Sequence, residues 1–289
     1  MHPYPFEYHR ATSLDEAIQF LGEHQEDGKI LAGGHSLLPI MKLRLAQPSV
    51  LIDITGLQEL RGVHLNGDTI EIGALTTHHD LETDPVLAEN LRLLPQIAHV
   101  VGDQQVRHRG TIGGTLAHAD AAGDYPAGVL ALGGEIIVRG PNGERTIPID
   151  DFFVGFLTTA LEPDELLTSI RIPVHAEGTG VSYQKLANTA SGYAIVGVAV
   201  VLTKAADGTI ARIRIGITGT SDIAYRATAV ETALTGTNPD SDALNAACAH
   251  ATDGIDVLGD QHAPTKYRAK VTRNLLRRAV QEAFANASA

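Results

Sequence analysis

Two short stretches of the chain could cradle an anion. The first is Ala32, Gly33, Gly34, His35 and Ser36, which follows a short apolar strand at 30–32 and leads into an amphipathic stretch with a proline in its first turn. The second is Thr111, Ile112, Gly113, Gly114 and Thr115. Glycine lets a ligand approach the backbone closely and permits positive φ. A helix start adds unpaired N–H groups that favour an anion. One glycine pair alone reads equally well as an ordinary strand-to-helix turn. Two pairs roughly eighty residues apart, each flanked by Ser or Thr, suggest two glycine-rich loops converging on one pyrophosphate. Asp124 follows the second pair, just ahead of an apolar helix that it could cap.

Several other chemistries lack their residues. The chain has no G-x-G-x-x-G, no P-loop, no H-E-x-x-H and no C-x-x-C. Gly34-His35-Ser36 starts like a nucleophile elbow, but Leu38 stands where the last glycine belongs. His35 has no second metal ligand at a suitable spacing, and His108, His118 and Asp120 read as loop polarity. Cys248 is the one cysteine, so the chain cannot close an internal disulfide or hold an iron–sulfur cluster by itself. It reads as a small core residue of a helix. The net charge of -12 argues against a nucleic-acid partner. No apolar run approaches the roughly 18 residues of a membrane span, and the N-terminus lacks a signal-peptide pattern, so a cytoplasmic location is expected.

The elements that must position these residues follow from periodicity. A helix is expected at 13–21, capped by Ser13 with Glu16 closing a capping box. Strands are expected at 50–54 and 69–72, and a single helix at 87–101. Thr77 and Asp80 look like a second capping box, which makes His78 and His79 helix-start residues. A hairpin over 135–149 turns at Pro141-Asn142-Gly143, and another strand spans 166–172. The small, polar stretch 175–180 reads as a linker. Beyond it come strands at 181–186, 194–204 and 210–218, then helices at 224–234, 242–251 and 266–284. Three strands followed by three helices suggest a small α+β domain. Val271, Leu275 and Ala279 give the last helix an apolar face for docking a partner or for packing on its own sheet.

The two glycine signatures resemble those of the FAD-carrying medium subunits of molybdenum hydroxylases, and most resemble the carbon monoxide dehydrogenase type. The resemblance extends to ELLTSIRIP at 165–173, SYQKLANTASGYAIVGVAVVL at 182–202 and KYRAKVTRNLLRRAV at 266–280. It implies an α+β chain in two domains. Residues 1–177 would form a vanillyl-alcohol oxidase/PCMH-type FAD-binding domain, with α/β subdomains at about 1–55 and 56–177. Residues 178–289 would form a C-terminal domain with a three-stranded antiparallel sheet and helices. FAD would be held non-covalently by residues 32–36 and 111–115, with Asp124, Leu167, Lys185 and Tyr193 near the flavin. A Lys185 cation there would raise the flavin potential; the competing reading is an exposed strand lysine.

The resemblance also implies an assembly, a dimer of heterotrimers. A large subunit would carry the molybdenum cofactor and a small subunit two [2Fe–2S] clusters, with FAD passing electrons to an external acceptor. Three departures from the family pattern stand out. Thr115 stands where asparagine is usual, Gly192 precedes Tyr193 where an acid is common, and Asn188 and Thr189 replace arginines. The competing class is a self-contained FAD oxidase or dehydrogenase, which would need a larger substrate domain than the roughly 110 residues after the linker.

Overall fold

The computed structural model describes residues 2–288, with Ser241 described by its backbone only. The chain begins with β1 (Glu7–Arg10), α1 (Leu14–Glu23), β2 (Gly28–Leu31), α2 (Leu37–Lys42) and β3 (Val50–Asp53). The strands pair in parallel in the order β1-β3-β2. Helix α1 buries Ala17, Ile18 and Leu21 in a small core shared with Val50 and Ile52. Ser13 caps it, accepting from the Glu16 N–H. The expected box does not close, because the Glu16 carboxylate accepts from the backbone and hydroxyl of Thr12, both at 2.6 Å.

The second unit runs through β4 (Val63–Asn66), β5 (Thr69–Gly73), α3 (His78–Thr83), α4 (Pro85–Asn90), α5 (Leu93–His99), α6 (Gln104–Arg107), α7 (Ile112–His118) and α8 (Asp124–Leu132). It ends in β6 (Glu135–Gly140), β7 (Gly143–Pro148), β8 (Phe153–Gly155), β9 (Thr158–Thr159) and β10 (Leu166–Pro173). Five strands form a sheet in the order β4-β5-β10-β6-β7, with the last strand of the unit at its centre. The Thr77–Asp80 capping box is present at the start of α3. The single helix expected at 87–101 is instead two helices that meet at Leu91 and Arg92. Pro95 explains the break: it has no N–H for the Leu91 carbonyl, and its ring crowds that position. Proline is tolerated early in a helix, and α5 accordingly restarts two residues before it.

The C-terminal unit contains β11 (Gly180–Ala187), β12 (Ala194–Lys204), β13 (Ile210–Thr218), β14 (Tyr225–Arg226), α9 (Thr228–Leu234), α10 (Ser241–Cys248) and α11 (Thr265–Asn286). Its sheet is antiparallel in the order β11-β12-β13-β14. A fourth, two-residue strand thus adds to the three expected. Strand β12 is apolar from Ala194 to Leu202 because both of its faces are covered there. Val196, Val198, Val200 and Leu202 enter the core under α11, while Ala199 and Val201 enter the core that contains α8. Alternate residues of a strand point to opposite faces, and that separates the two sets. Helix α11 buries Leu275, Leu276, Ala279, Val280 and Ala283 against β11 and β12, so its apolar face is used within the chain.

Helix α8 joins the two larger units. All nine of its residues are buried, as expected for a helix that is apolar all round. It packs on α5 and α7 of one unit and on β12 and β13 of the other. The approach is close enough that a Cβ at Gly216 would overlap the carbonyl oxygen of Ala127. Ahead of α8, the Thr218 hydroxyl donates to the carbonyls of Ala121 and Gly123, and the Gly219 N–H donates to that of Ala121.

Candidate functional site

The first glycine pair lies in the connection from β2 to α2. A Cβ on Gly33 would overlap the carbonyl oxygen of Arg109 and sit 2.9 Å from the Gly110 Cα. Only glycine fits there, and the partner that excludes a side chain is the chain itself. Gly34 has φ of 73°, the left-handed conformation that glycine adopts without strain. His35 turns back, with Nδ1 3.0 Å from the Gly33 carbonyl oxygen. Ser36 is the N-cap of α2, yet its hydroxyl makes no capping bond. Among the described residues, the N–H groups of Gly33, Gly34, His35, Ser36 and Leu37 have no intramolecular acceptor. Five consecutive free donors beside a hydroxyl that caps nothing make a concentrated anion-binding element.

The second glycine pair is built differently from the loop expected of it. Gly113 and Gly114 lie in the first turn of α7, with Thr111 as N-cap. Their donors are already engaged. Ile112 N–H donates to Thr76 O, Gly113 N–H to Ala74 O, Gly114 N–H to Thr111 Oγ1 and Thr115 N–H to Thr111 O. A Cβ on Gly113 would sit 2.5 Å from the Ala74 Cβ, so this glycine lets α7 press on the end of β5. The two stretches do meet, since a Cβ on Gly114 would lie 3.8 Å from that of Ala32. The first stretch therefore offers the free backbone donors and the second buttresses it. Sequence patterns could not separate these roles, because both read as Gly-Gly between small polar residues.

Asp124, Lys185 and Tyr183 form a buried cluster across the α8 junction. Lys185 Nζ lies 2.8 Å from Asp124 Oδ2 and donates to the Val100 carbonyl at 3.0 Å. The Tyr183 hydroxyl donates to Asp124 Oδ1 at 2.5 Å. Both charged side chains are only 6% exposed, which settles Lys185 against the exposed-lysine reading. Burial pushes the Asp124 pKa up, against the opposing pull of Lys185 and Tyr183. The tyrosine's own pKa is driven well above its usual value, by burial first and then by the Asp124 charge. Asp124 does not cap α8; Gly123 is the N-cap, and no side chain bonds there.

Tyr193 lies in the hairpin between β11 and β12 and is 39% exposed. Its phenol neighbours the Ser36 hydroxyl, while burial of the ring raises its pKa. This hairpin thus brings the C-terminal unit to the first glycine stretch. Leu167 is 4% exposed within the main core of the second unit, on the central strand β10. That core also holds Ile112 of the second glycine stretch. Its neighbour Thr168 accepts from Ala74 N–H, and Ala74 in turn accepts from Gly113 N–H. Sequence reasoning assigned His78 only to a helix start. The structure places it 3% exposed behind Thr115, with Nε2 3.4 Å from the Thr115 hydroxyl.

Two cavities lie elsewhere. One, of about 260 Å³, is lined by Leu130, Asp150, Tyr225 and Arg226, and the other, of about 440 Å³, by Phe6, His24 and Ser49. Neither is lined by residues of the glycine stretches. Among the described residues, no three His, Cys, Asp or Glu side chains cluster to hold a metal. No described helix is long and apolar enough to cross a membrane.

Comparison with known proteins matches two family models. Residues 4–175 match the FAD binding domain in molybdopterin dehydrogenase, and residues 181–283 match the CO dehydrogenase flavoprotein C-terminal domain. The chain is 41% identical over 285 residues to the carbon monoxide dehydrogenase medium chain of Hydrogenophaga pseudoflava, covering 99% of each. It is 34% identical to the 6-hydroxypseudooxynicotine dehydrogenase complex subunit alpha of Paenarthrobacter nicotinovorans, covering 98% of this chain and 96% of that one. A solved structure of carbon monoxide dehydrogenase from Hydrogenophaga pseudoflava, lacking the Mo-pyranopterin moiety of its molybdenum cofactor, superposes with a TM-score of 0.97 at 42% identity over 100% of both chains.

Proposed function

Because the chain belongs to the family of FAD-binding medium subunits of molybdenum hydroxylases, we propose that it carries FAD non-covalently and relays electrons within an oxidoreductase complex. In this reading a large subunit holds the molybdenum cofactor, and a small subunit's [2Fe–2S] clusters deliver the electrons. The chain then hands them to an external acceptor. The complex is of the carbon monoxide dehydrogenase type, a cytoplasmic dimer of heterotrimers.

The observation that carries this reading is the row of free N–H groups from Gly33 to Leu37, next to a Ser36 hydroxyl that makes no capping bond. A pyrophosphate is doubly anionic and needs many donors at once, and here they are fixed in place before the ligand arrives. FAD, when bound, supplies one- and two-electron redox chemistry that no side chain of this chain offers. Ala32, Gly33, Gly34, His35 and Ser36 would bind the pyrophosphate, with Thr111, Ile112, Gly113, Gly114 and Thr115 as the buttress. Tyr193 would lie beside the flavin. Asp124 and Lys185 would face it as a neutral pair, so Lys185 acts on it as one end of a dipole and shifts its potential less than a bare cation would. Leu167 would contribute from beneath, through the β10 segment that holds Ala74.

Cys248 is buried and alone. A cluster with four cysteine-type ligands therefore has to sit on another chain. The test is anaerobic stopped-flow spectroscopy at the visible flavin band. The isolated chain loaded with FAD should bleach with dithionite but not with the complex's substrate, and adding the other two subunits should restore bleaching by substrate. Rapid bleaching of the isolated chain by substrate would overturn the subunit reading and favour a self-contained oxidase.

A further inference from the structure

His78 is a deeply buried polar side chain of this region with no role so far. It is 3% exposed, and its ring stacks on that of Tyr125 with centroids 4.9 Å apart. Its backbone N–H donates to the Gly110 carbonyl at 3.0 Å, inside the capped first turn of α3. On the other side, its Nε2 and Cδ2 fill the space that a Cβ on Gly110 would need, at 2.6 and 2.7 Å. The ring is thus held from both sides. Burial, with the nearby His35 and Arg107 charges, drives its pKa down to about 4 and keeps the imidazole neutral near pH 7.

A neutral imidazole carries one proton, and the surroundings decide which nitrogen holds it. Nδ1 is buried with no partner, while Nε2 faces the Thr115 hydroxyl at 3.4 Å. Buried N–H groups without an acceptor are rare because their desolvation is not recovered. Placing the proton on Nε2 gives it the Thr115 oxygen as acceptor and leaves Nδ1 a bare lone pair. Thr115 Oγ1 then accepts from His78 and makes no other hydrogen bond among the described residues. Its own proton stays free for a ligand.

We infer that His78 is a positioning residue of the anion site: its Nε2–H holds the Thr115 oxygen as an acceptor, so that the Thr115 hydroxyl proton is aimed at an oxygen of the bound FAD. This rests on the FAD reading above. It also accounts for Thr115 in place of the usual asparagine. An amide brings its own N–H donors, whereas a hydroxyl can rotate and needs a second group to fix its direction.

The test is a double-mutant cycle on FAD affinity in the full chain, with His78→Phe, Thr115→Val and the pair. Phenylalanine keeps the stack on Tyr125 and removes the ring nitrogens. Each single change should weaken FAD about tenfold, the effect of one hydrogen bond to a charged group. The double change should be no weaker than about the worse single one. Thr115→Ser should stay close to wild type, but only while His78 is present. Additive losses, near a hundredfold together, or a His78→Phe variant with unchanged affinity, would overturn the assignment and leave His78 a packing residue. Nitrogen-15 NMR of the unmodified chain provides a second readout that does not depend on any variant folding. The His78 ring should show the Nε2–H tautomer, and an Nδ1–H tautomer would overturn the assignment. Failure of the FAD reading looks different: an unmodified chain that takes up no FAD would sink that reading and this inference with it, whereas additivity in a chain that binds FAD sinks only this inference.

Discussion

Replacing Lys185 by methionine removes the cation from the buried cluster at the α8 junction while roughly keeping the length and apolar stem of the side chain. Asp124, 6% exposed in its side chain, then keeps only the Tyr183 hydroxyl as a side-chain donor, and the Val100 carbonyl loses its lysine. Breaking a buried ion pair from one side costs about 3–5 kcal/mol, because the remaining charge stays buried without its partner. For a chain of this size, that lowers Tm by on the order of 10 °C. The pH dependence distinguishes this cause from simple loss of packing. Burial already raises the Asp124 pKa against the pull of Lys185, and without the lysine it rises further. A carboxyl whose folded pKa lies above its unfolded value favours the folded state at low pH, and that contribution is lost as pH rises through the folded pKa. Urea unfolding should therefore show the full deficit at about pH 7 and a smaller one at about pH 5. Adding Asp124→Asn to Lys185→Met should recover part of the loss, since no charge then remains buried. An equal deficit at both pH values, or a double variant weaker by the sum of the singles, would refute the account of the cluster as a charge pair.

Gly33→Ala drives a methyl group into the Arg109 carbonyl, so it should separate the two glycine stretches, cost about 1–3 kcal/mol of stability in urea unfolding, and weaken FAD on the order of a hundredfold by fluorescence titration. Ser36→Ala removes a hydroxyl that caps nothing; FAD should bind about tenfold more weakly while Tm stays within about 1 °C of the parent. Burial holds His78 and the half-buried His175 at about 4, below the usual 6.5. The unfolded chain therefore takes up their protons first, and stability should fall as pH drops from about 6.5 to about 4, by up to about 3 kcal/mol for His78 and less for His175. His78→Phe should flatten that acid limb in a pH series of urea unfolding curves, and an unchanged slope would show that the ring is not held neutral.

Much of the fold is written in periodicity. Helices α1 and α11, the β6–β7 hairpin and the long strands β12 and β13 all lie close to where apolar spacing and turn residues placed them. The misses have local causes. The 87–101 helix looked continuous because Leu91, Leu94 and Ile97 keep helical spacing across a break that Pro95 imposes. Strand β14 has only two residues and no pattern of its own; it exists because β13 offers it an edge. At the candidate site, the two glycine pairs were visible but their unequal jobs were not. Which N–H groups are free depends on Ala74 and Thr76, far from the pairs in sequence. Lys185 and Asp124 could each be picked out by resemblance, but their pairing arises where β11 meets α8, and spacing does not encode that. His78 could have been suspected only from its place ahead of a buried helix turn, because nothing in the sequence announces that Tyr125 stacks on it.

The central claim is that the free donors of the first glycine stretch bind the pyrophosphate of FAD. Titrating the flavin-free chain with FAD, FMN and riboflavin, and following flavin fluorescence, tests this directly. FMN has a single phosphate and riboflavin has none, while all three share the isoalloxazine ring. The expected result is one FAD per chain, with FMN and riboflavin bound at least about a hundredfold more weakly, as loss of two or more charge-assisted hydrogen bonds requires. FMN or riboflavin binding as tightly as FAD, or no saturable binding of FAD, would contradict it.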